Sequence, residues 1–256
     1  MFIVFNKQKI YSYLVSLTTV VVLFVIAFTI TSGNLSTITT SSNARELPIY
    51  CVETSDKKVA LTMNCAWNAD DIDSILKTLE ENQTKITFFV VGDWVDKFPD
   101  AVKKIYNAGH EIGNHSNTHP HVNNLSSDAN IKEVNECCNK IEKITGSKTT
   151  LYRAPYGEYN NTVIRSAKAA SHIPIQWNLD TLDYTGLTGE EMWNRLNGKL
   201  KSGSIILMHN GTTHTADSLD MLLKNIKQSG YEVVKVSDLI YKSNYVIDNN
   251  GTQKLQ

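Results

Sequence analysis

The chain has 256 residues, with 25 basic and 26 acidic side chains and a formal charge of −1. With no clustered Lys and Arg, a nucleic-acid-binding role built on neutralising phosphates is excluded. Four cysteines, Cys51, Cys65, Cys137 and Cys138, show no regular spacing and read as unpaired thiols rather than a disulfide framework.

The first element is apolar. No charged residue occurs between Ile10 and Ala44, and residues 14–30 are almost wholly apolar. That length suits a helix crossing a hydrocarbon core of roughly 30 Å. Lys7 and Lys9 precede it, so the positive-inside tendency leaves residues 1–9 in the cytoplasm, makes 10–31 a transmembrane anchor and places the rest outside the cell. A cleavable signal peptide, the rival reading, would have a shorter apolar core closely followed by a small-x-small site. Residues 32–55 read as a polar spacer, 56–242 as one domain, and 243–256 as a polar, frayed tail.

Within the domain, residues 58–63 form a β-rich run. In 70–82, Ile72, Ile75, Leu76 and Leu79 recur at helical spacing. A strand at 86–91 leads to a helix at 99–107, opened by Pro99 and closed by Gly109. The strand 111–114 runs into His115, followed by a helix at 128–144 and a strand at 150–153. A helix at 159–170, a strand at 174–177 and a helix at 190–200 come next. The almost purely apolar strand 204–208, a helix at 216–228 and a strand at 232–236 complete the series. About seven strands alternating with helices predict an α/β fold with a parallel sheet, open or closed into a barrel.

The candidate functional residues share one placement: each lies where a strand ends and its loop begins. In parallel α/β folds that edge is where sites assemble. His115 and His119, four apart, can turn two imidazoles toward one divalent cation, with zinc well suited. His209 ends the apolar strand and is placed to donate a proton, with Asp180 and Asp183 as carboxylates that could orient it. Arg153, beside the rigid Pro155 turn, can clamp a carboxylate or tie down a loop. Tyr156, Trp177 and Leu207 lie beside these positions and are the candidate substrate contacts.

Together these stretches resemble the NodB-homology polysaccharide deacetylases, carbohydrate esterase family four, over about residues 58–240. His115-Ser116-x-x-His119, Arg153-x-Pro155-Tyr156, Asp180-x-x-Asp183 and Leu207-x-His209 match four of the family's five motifs in order. The segments 91–95 and 109–115 resemble the sporulation-associated branch of endospore-forming Firmicutes. The resemblance implies a distorted (β/α) barrel and a metal-bound water attacking an N-acetyl carbon of a cell-wall glycan. His115 and His119 would hold the metal, His209 would protonate the leaving amine, Asp183 would pair with His209, and Arg153 would orient the base. A backbone N–H near Tyr156 would help stabilise the oxyanion.

The fifth motif departs. Where the family has Thr-Phe-Asp-Asp, this chain reads Thr62-Met63-Asn64-Cys65. A carboxamide cannot take up a proton at neutral pH, so Asn64 cannot be the base the family places there. Cys65 as a thiolate ligand, or Asp70 and Asp71 folding back as third ligand or base, are the substitutes on offer; the alternative is that both Asp residues cap the helix that follows. A catalytically weak or inactive homologue that binds glycan or a protein partner in the same cleft is the competing expectation.

Overall fold

The structure, a computed structural model, describes residues 7–32 and 45–256. The expected cytoplasmic start before residue 7 and the spacer at 33–44 lie outside the described residues. Two compact units divide the chain, Met1–Ala44 and Arg45–Gln256.

In the first unit, α1 spans Lys7–Ser32, and its side chains from Tyr11 to Phe24 are exposed. Among the described residues no helix is long and apolar enough to cross a membrane. The anchor expected at 10–31 is therefore a helix here and not an established span.

The second unit begins with β1 (Cys51–Val52), β2 (Lys58–Cys65), α2 (Ile72–Glu81), β3 (Thr87–Val90) and α3 (Gly92–Lys97). Then come α4 (Pro99–Asn107), β4 (Glu111–Asn114), α5 (Ser127–Thr145), β5 (Leu151–Tyr152), α6 (Asn161–Ala169), β6 (Ile173–Pro174) and β7 (Leu179–Asp180). The chain ends with α7 (Gly189–Leu196), β8 (Ile205–His209), α8 (Thr215–Gln228), β9 (Glu232–Val234), α9 (Val236–Leu239), β10 (Tyr245–Ile247) and β11 (Thr252–Leu255).

Seven parallel strands in the order β6-β5-β4-β3-β2-β8-β7 form a curled half-barrel, and β9 pairs with the start of β2. The curl has a simple cause. The two edge strands are consecutive in sequence, so one extended run leaves β5 and joins β8. Along it, Ile175 N–H donates to the Tyr152 carbonyl (2.8 Å) and Asn178 N–H to the Ile205 carbonyl (3.1 Å). β2 is buried along its length except at Lys58, as expected for a strand covered on both faces. Its side chains alternate. Leu61, Met63 and Cys65 pack outward with Ile72, Ile75, Leu79, Leu219 and Leu222, the buried faces of α2 and α8. Ala60 packs on the other side with Phe89, Ile175 and Ile205, closing the floor of the barrel beneath the site edge.

Two expectations are corrected. The tail at 243–256 does not fray: β10 and β11 pair with each other, and β11 pairs with β1. Gln253, fully buried, accepts from Tyr241 N–H (2.9 Å) and donates to the Tyr241 carbonyl (2.7 Å), which pins the strand. The described end of the supposed spacer is likewise structured. Ile49 is fully buried, its N–H donates to the Pro174 carbonyl (3.0 Å), and Val52 N–H donates to the Gly203 carbonyl (2.9 Å). Both segments are polar in composition but pair with chain that is remote in sequence, which a local reading does not register.

Candidate active site

A cavity of about 530 Å³ opens at the C-terminal edge of the sheet. Its walls include Asn64 from β2, His115 after β4, Asp180 from β7, and Leu207 and His209 from β8, with His119, Tyr156 and Trp177 from the loops. The sheet edge therefore gathers residues spread across most of the domain, as the strand-end placement predicts.

One wall holds an imidazole with a carboxylate behind it. His209 Nδ1 lies 2.8 Å from Asp183 Oδ1. Asp183 is fully buried and also accepts from the His209 N–H (2.6 Å), the Tyr184 N–H (3.0 Å) and the Thr215 hydroxyl (2.7 Å). A buried carboxylate with four donors is well compensated for its desolvation. It fixes the ring and leaves Nε2 as the nitrogen not held by Asp183.

A second pair of imidazoles stands at the loop after β4. His115 is 2% exposed, and its Nδ1 lies 2.7 Å from the Arg153 carbonyl, leaving Nε2 for another partner. The His119 ring lies 5.0 Å from the His115 ring, centre to centre. Burial, then the neighbouring His119, pushes His115 well below the usual histidine range; burial also lowers His119. Neutral imidazole is the ligand form, so the pair fits a divalent cation as two of its protein ligands. Among the described residues no cluster of three His, Cys, Asp or Glu side chains supplies a third.

The remaining corner is where Asn64 sits. Arg153, fully buried, donates from Nη1 to Asn64 Oδ1 (3.0 Å) and the Thr62 hydroxyl (2.8 Å), and from Nη2 to the Gln176 carbonyl (3.2 Å). These acceptors are all uncharged, and Arg153 Nε has no partner among the described residues. The guanidinium lies 4.1 Å from the Phe89 ring centre and 5.4 Å from that of Trp177. Burial pushes it down to about 9, with Asp180 opposing. The clamp is in place, but what it holds is a carboxamide.

The substitutes considered for the missing carboxylates are not brought to the cavity. Asp70, a candidate metal ligand, is exposed and absent from the cavity wall, because it lies on the turn before α2. Asp71, a candidate base, is also off the wall. It occupies the N-cap position of α2 without a capping bond from its side chain. Its oxygens instead accept from Asn210 Nδ2 (3.1 Å) and Gly211 N–H (2.7 Å), so it braces the turn after His209. Cys65 packs in the outer core, on the opposite face of β2 from the Asn64 side chain, and burial holds its thiol well above its ordinary range. Strand alternation alone removes it from the cavity. Tyr156, Trp177 and Leu207 do line the cavity, as expected.

Sequence reasoning missed Trp67, Tyr184 and Thr215. Trp67 and Tyr184 are half exposed, line the cavity, and lie 5.4 Å and 5.3 Å from the His209 ring. Tyr184 adjoins Asp183 and Trp67 lies two residues after Cys65, so an aromatic close to a strand end was the available signal. Thr215 had none.

Comparison with known proteins places this geometry among relatives. The polysaccharide deacetylase profile matches residues 52–173. The uncharacterized protein YlxY of Bacillus subtilis is 33% identical over 193 residues, 75% of this chain and 60% of that protein. The peptidoglycan-N-acetylmuramic acid deacetylase PdaC of the same species is 31% identical over 73% of this chain and 40% of its own length. Thus this chain spans less than two thirds of either relative. Among solved structures, the CE4 family pseudoenzyme BA3943 of Bacillus anthracis superposes with a TM-score of 0.72 at 33% identity, covering 75% of this chain and 68% of that one. A mutant of BA3943 has restored enzymatic activity.

Proposed function

The chain belongs to the polysaccharide deacetylase family, and from that premise we propose that it de-N-acetylates a cell-wall glycan, peptidoglycan or a related polysaccharide, with an acid side that is complete and a base side that is not. The observation that carries this reading is the His209–Asp183–Thr215 chain beside a cavity that also holds His115 and His119. His209, held through Nδ1, can hand a proton from Nε2 to the amine leaving an N-acetyl group. Trp67, Trp177, Tyr156 and Tyr184 offer flat apolar faces on which sugar rings can lie. His115 and His119 would hold a divalent cation, with zinc the suitable choice. When bound, such an ion supplies Lewis-acid chemistry and a lowered pKa for water.

The reaction also needs a group to take up a proton as water attacks, and Asn64 cannot do so. Turnover is therefore expected to be weak. A second reading, glycan binding without turnover, is favoured by Asn64 itself and by the likeness to BA3943. The uncharged run after Lys7 and Lys9 supports an anchored protein, N-terminus in and cleft outside the cell, where such a glycan lies.

Acetate release from peptidoglycan fragments by the purified, zinc-loaded chain tests the activity. Slow release that His115→Ala abolishes is the expected result. Saturable glycan binding with no acetate would move the protein to the second reading.

A further inference from the structure

His115 and His119 are carried by an irregular loop, not a helical turn. Two of its non-glycine residues are left-handed, Ser116 at φ 70 and His119 at φ 56. Such residues cost on the order of 1–3 kcal/mol each and persist where their surroundings over-determine them. Here the loop is held from two sides. The first N–H groups of α3 take its carbonyls: Gly92 donates to Ser116 (2.9 Å) and Asp93 to Asn117 (2.8 Å). Its donors converge on one side chain of α5, Glu133. Oε2 accepts from the Ser116 hydroxyl (2.7 Å), the Asn117 N–H (2.9 Å) and the Thr118 N–H (2.9 Å), and Oε1 from the Thr118 hydroxyl (3.0 Å). The three residues between the histidines thus all hang on one carboxylate.

We propose that Glu133 is a positioning residue: its carboxylate sets the loop that carries His115 and His119, and through it the placement of the two imidazoles toward a divalent cation. The inference rests on the proposed metal site for its second half and on hydrogen bonds alone for its first. A carboxylate is needed chemically. It offers two oxygens and no donor, so it can face two amides and two hydroxyls at once. Glutamine keeps one acceptor oxygen but no charge, and its NH₂ can only donate to the Thr118 hydroxyl, so the bonds from Ser116, Asn117 and Thr118 lose their charge assistance. Outer residues that orient metal-binding histidines are worth about 10–100-fold in metal affinity.

The test compares the full chain with its Glu133→Gln and Glu133→Ala variants by zinc titration against a competing chelator and by amide hydrogen exchange. The amides of Asn117 and Thr118 are expected to exchange about tenfold faster or more in both variants, while β2 and β8 keep wild-type protection and so report an intact fold. Zinc affinity is expected to fall about 10–100-fold. Wild-type exchange at Asn117 and Thr118 in both variants overturns the proposal, as does wild-type zinc affinity in a variant whose loop has loosened. A wild-type chain that binds no zinc would remove the metal from the proposed function. The exchange rates then decide Glu133 on their own, faster exchange supporting the clamp and unchanged exchange overturning it.

Discussion

Asp183 gives His209 a carboxylate, while Asn64 gives Arg153 only a carboxamide oxygen. Both arrangements are buried at the same edge of the sheet, and both centre on a basic side chain. On the His209 side the carboxylate has four donors, so charge and hydrogen bonding are settled together. On the Arg153 side a guanidinium is enclosed among neutral acceptors and two aromatic rings, with Nε unpaired among the described residues. Cation–π contact can offset part of that desolvation, while burial holds the guanidinium down at about 9, with Asp180 opposing. The His209 ring thus has a charged partner, while the Arg153 guanidinium at the same sheet edge hydrogen-bonds only neutral ones.

Breaking the complete side should have the largest effect. In an Asn64→Asp background, where turnover is expected, Asp183→Asn should lower kcat by about 10²–10⁴-fold, the range for losing a positioned acid. Retained kcat would mean that His209 does not depend on Asp183 for its part in the reaction.

The incomplete side can be sharpened by a double-mutant cycle of Asn64→Asp with Arg153→Met, read by urea unfolding. In the Asn64→Asp background Arg153→Met leaves a buried carboxylate unpaired, a loss of about 3–5 kcal/mol. In the wild-type background it removes a cation that has no carboxylate, so the loss should be smaller by about 2 kcal/mol or more. Equal losses would mean that a carboxylate at 64 does not engage Arg153.

A third test reads stability against pH, in the presence of a chelator, and takes as its reference His110, buried just before β4 and away from both sides, with its Nδ1 accepting from the Ile86 N–H (3.2 Å). Burial lowers His110 to about 4 and also lowers His115 and His119. For each, the unfolded state takes up its proton first as pH falls below about 6.5, so stability drops with acidification. For His110 that window runs from about 6.5 to about 4, contributing up to about 1.4 kcal/mol per pH unit. His110→Gln should flatten the slope in that window, and an unchanged slope would remove His110 from the account. The smallest effect is expected at the aromatic rim. Trp67→Ala should weaken glycan binding several-fold, matching the ~0.5–1.5 kcal/mol of an aromatic contact, with stability nearly unchanged.

Much of the fold could be read locally. The helix at 99–107 and the strand at 111–114 match α4 and β4 because Pro99, Gly109 and the apolar spacing are local signals. β1, β10 and β11 could not be read this way, because Cys51 finds its partner at Thr252. α3 was also missed, a short helix in a stretch that looks like the end of a strand. In the site, the strand-end rule located His115, Arg153, Asp180 and His209. It failed for Asp70 and Asp71, where closeness in sequence to Asn64 suggested closeness in space, but α2 turns both away from the cavity. Glu133 was invisible to it, because a helical glutamate gives no sign of what it caps across 15 to 17 residues.

We propose that the absence of a carboxylate at position 64, more than the two-histidine metal site, limits turnover. Acetate release from peptidoglycan fragments by wild type and Asn64→Asp, zinc-loaded and side by side, tests it most directly. Slow or undetectable release from wild type is expected, with a gain of about 10²-fold or more in the variant, the worth of a positioned base. Brisk release from wild type that Asn64→Asp leaves unchanged would contradict it.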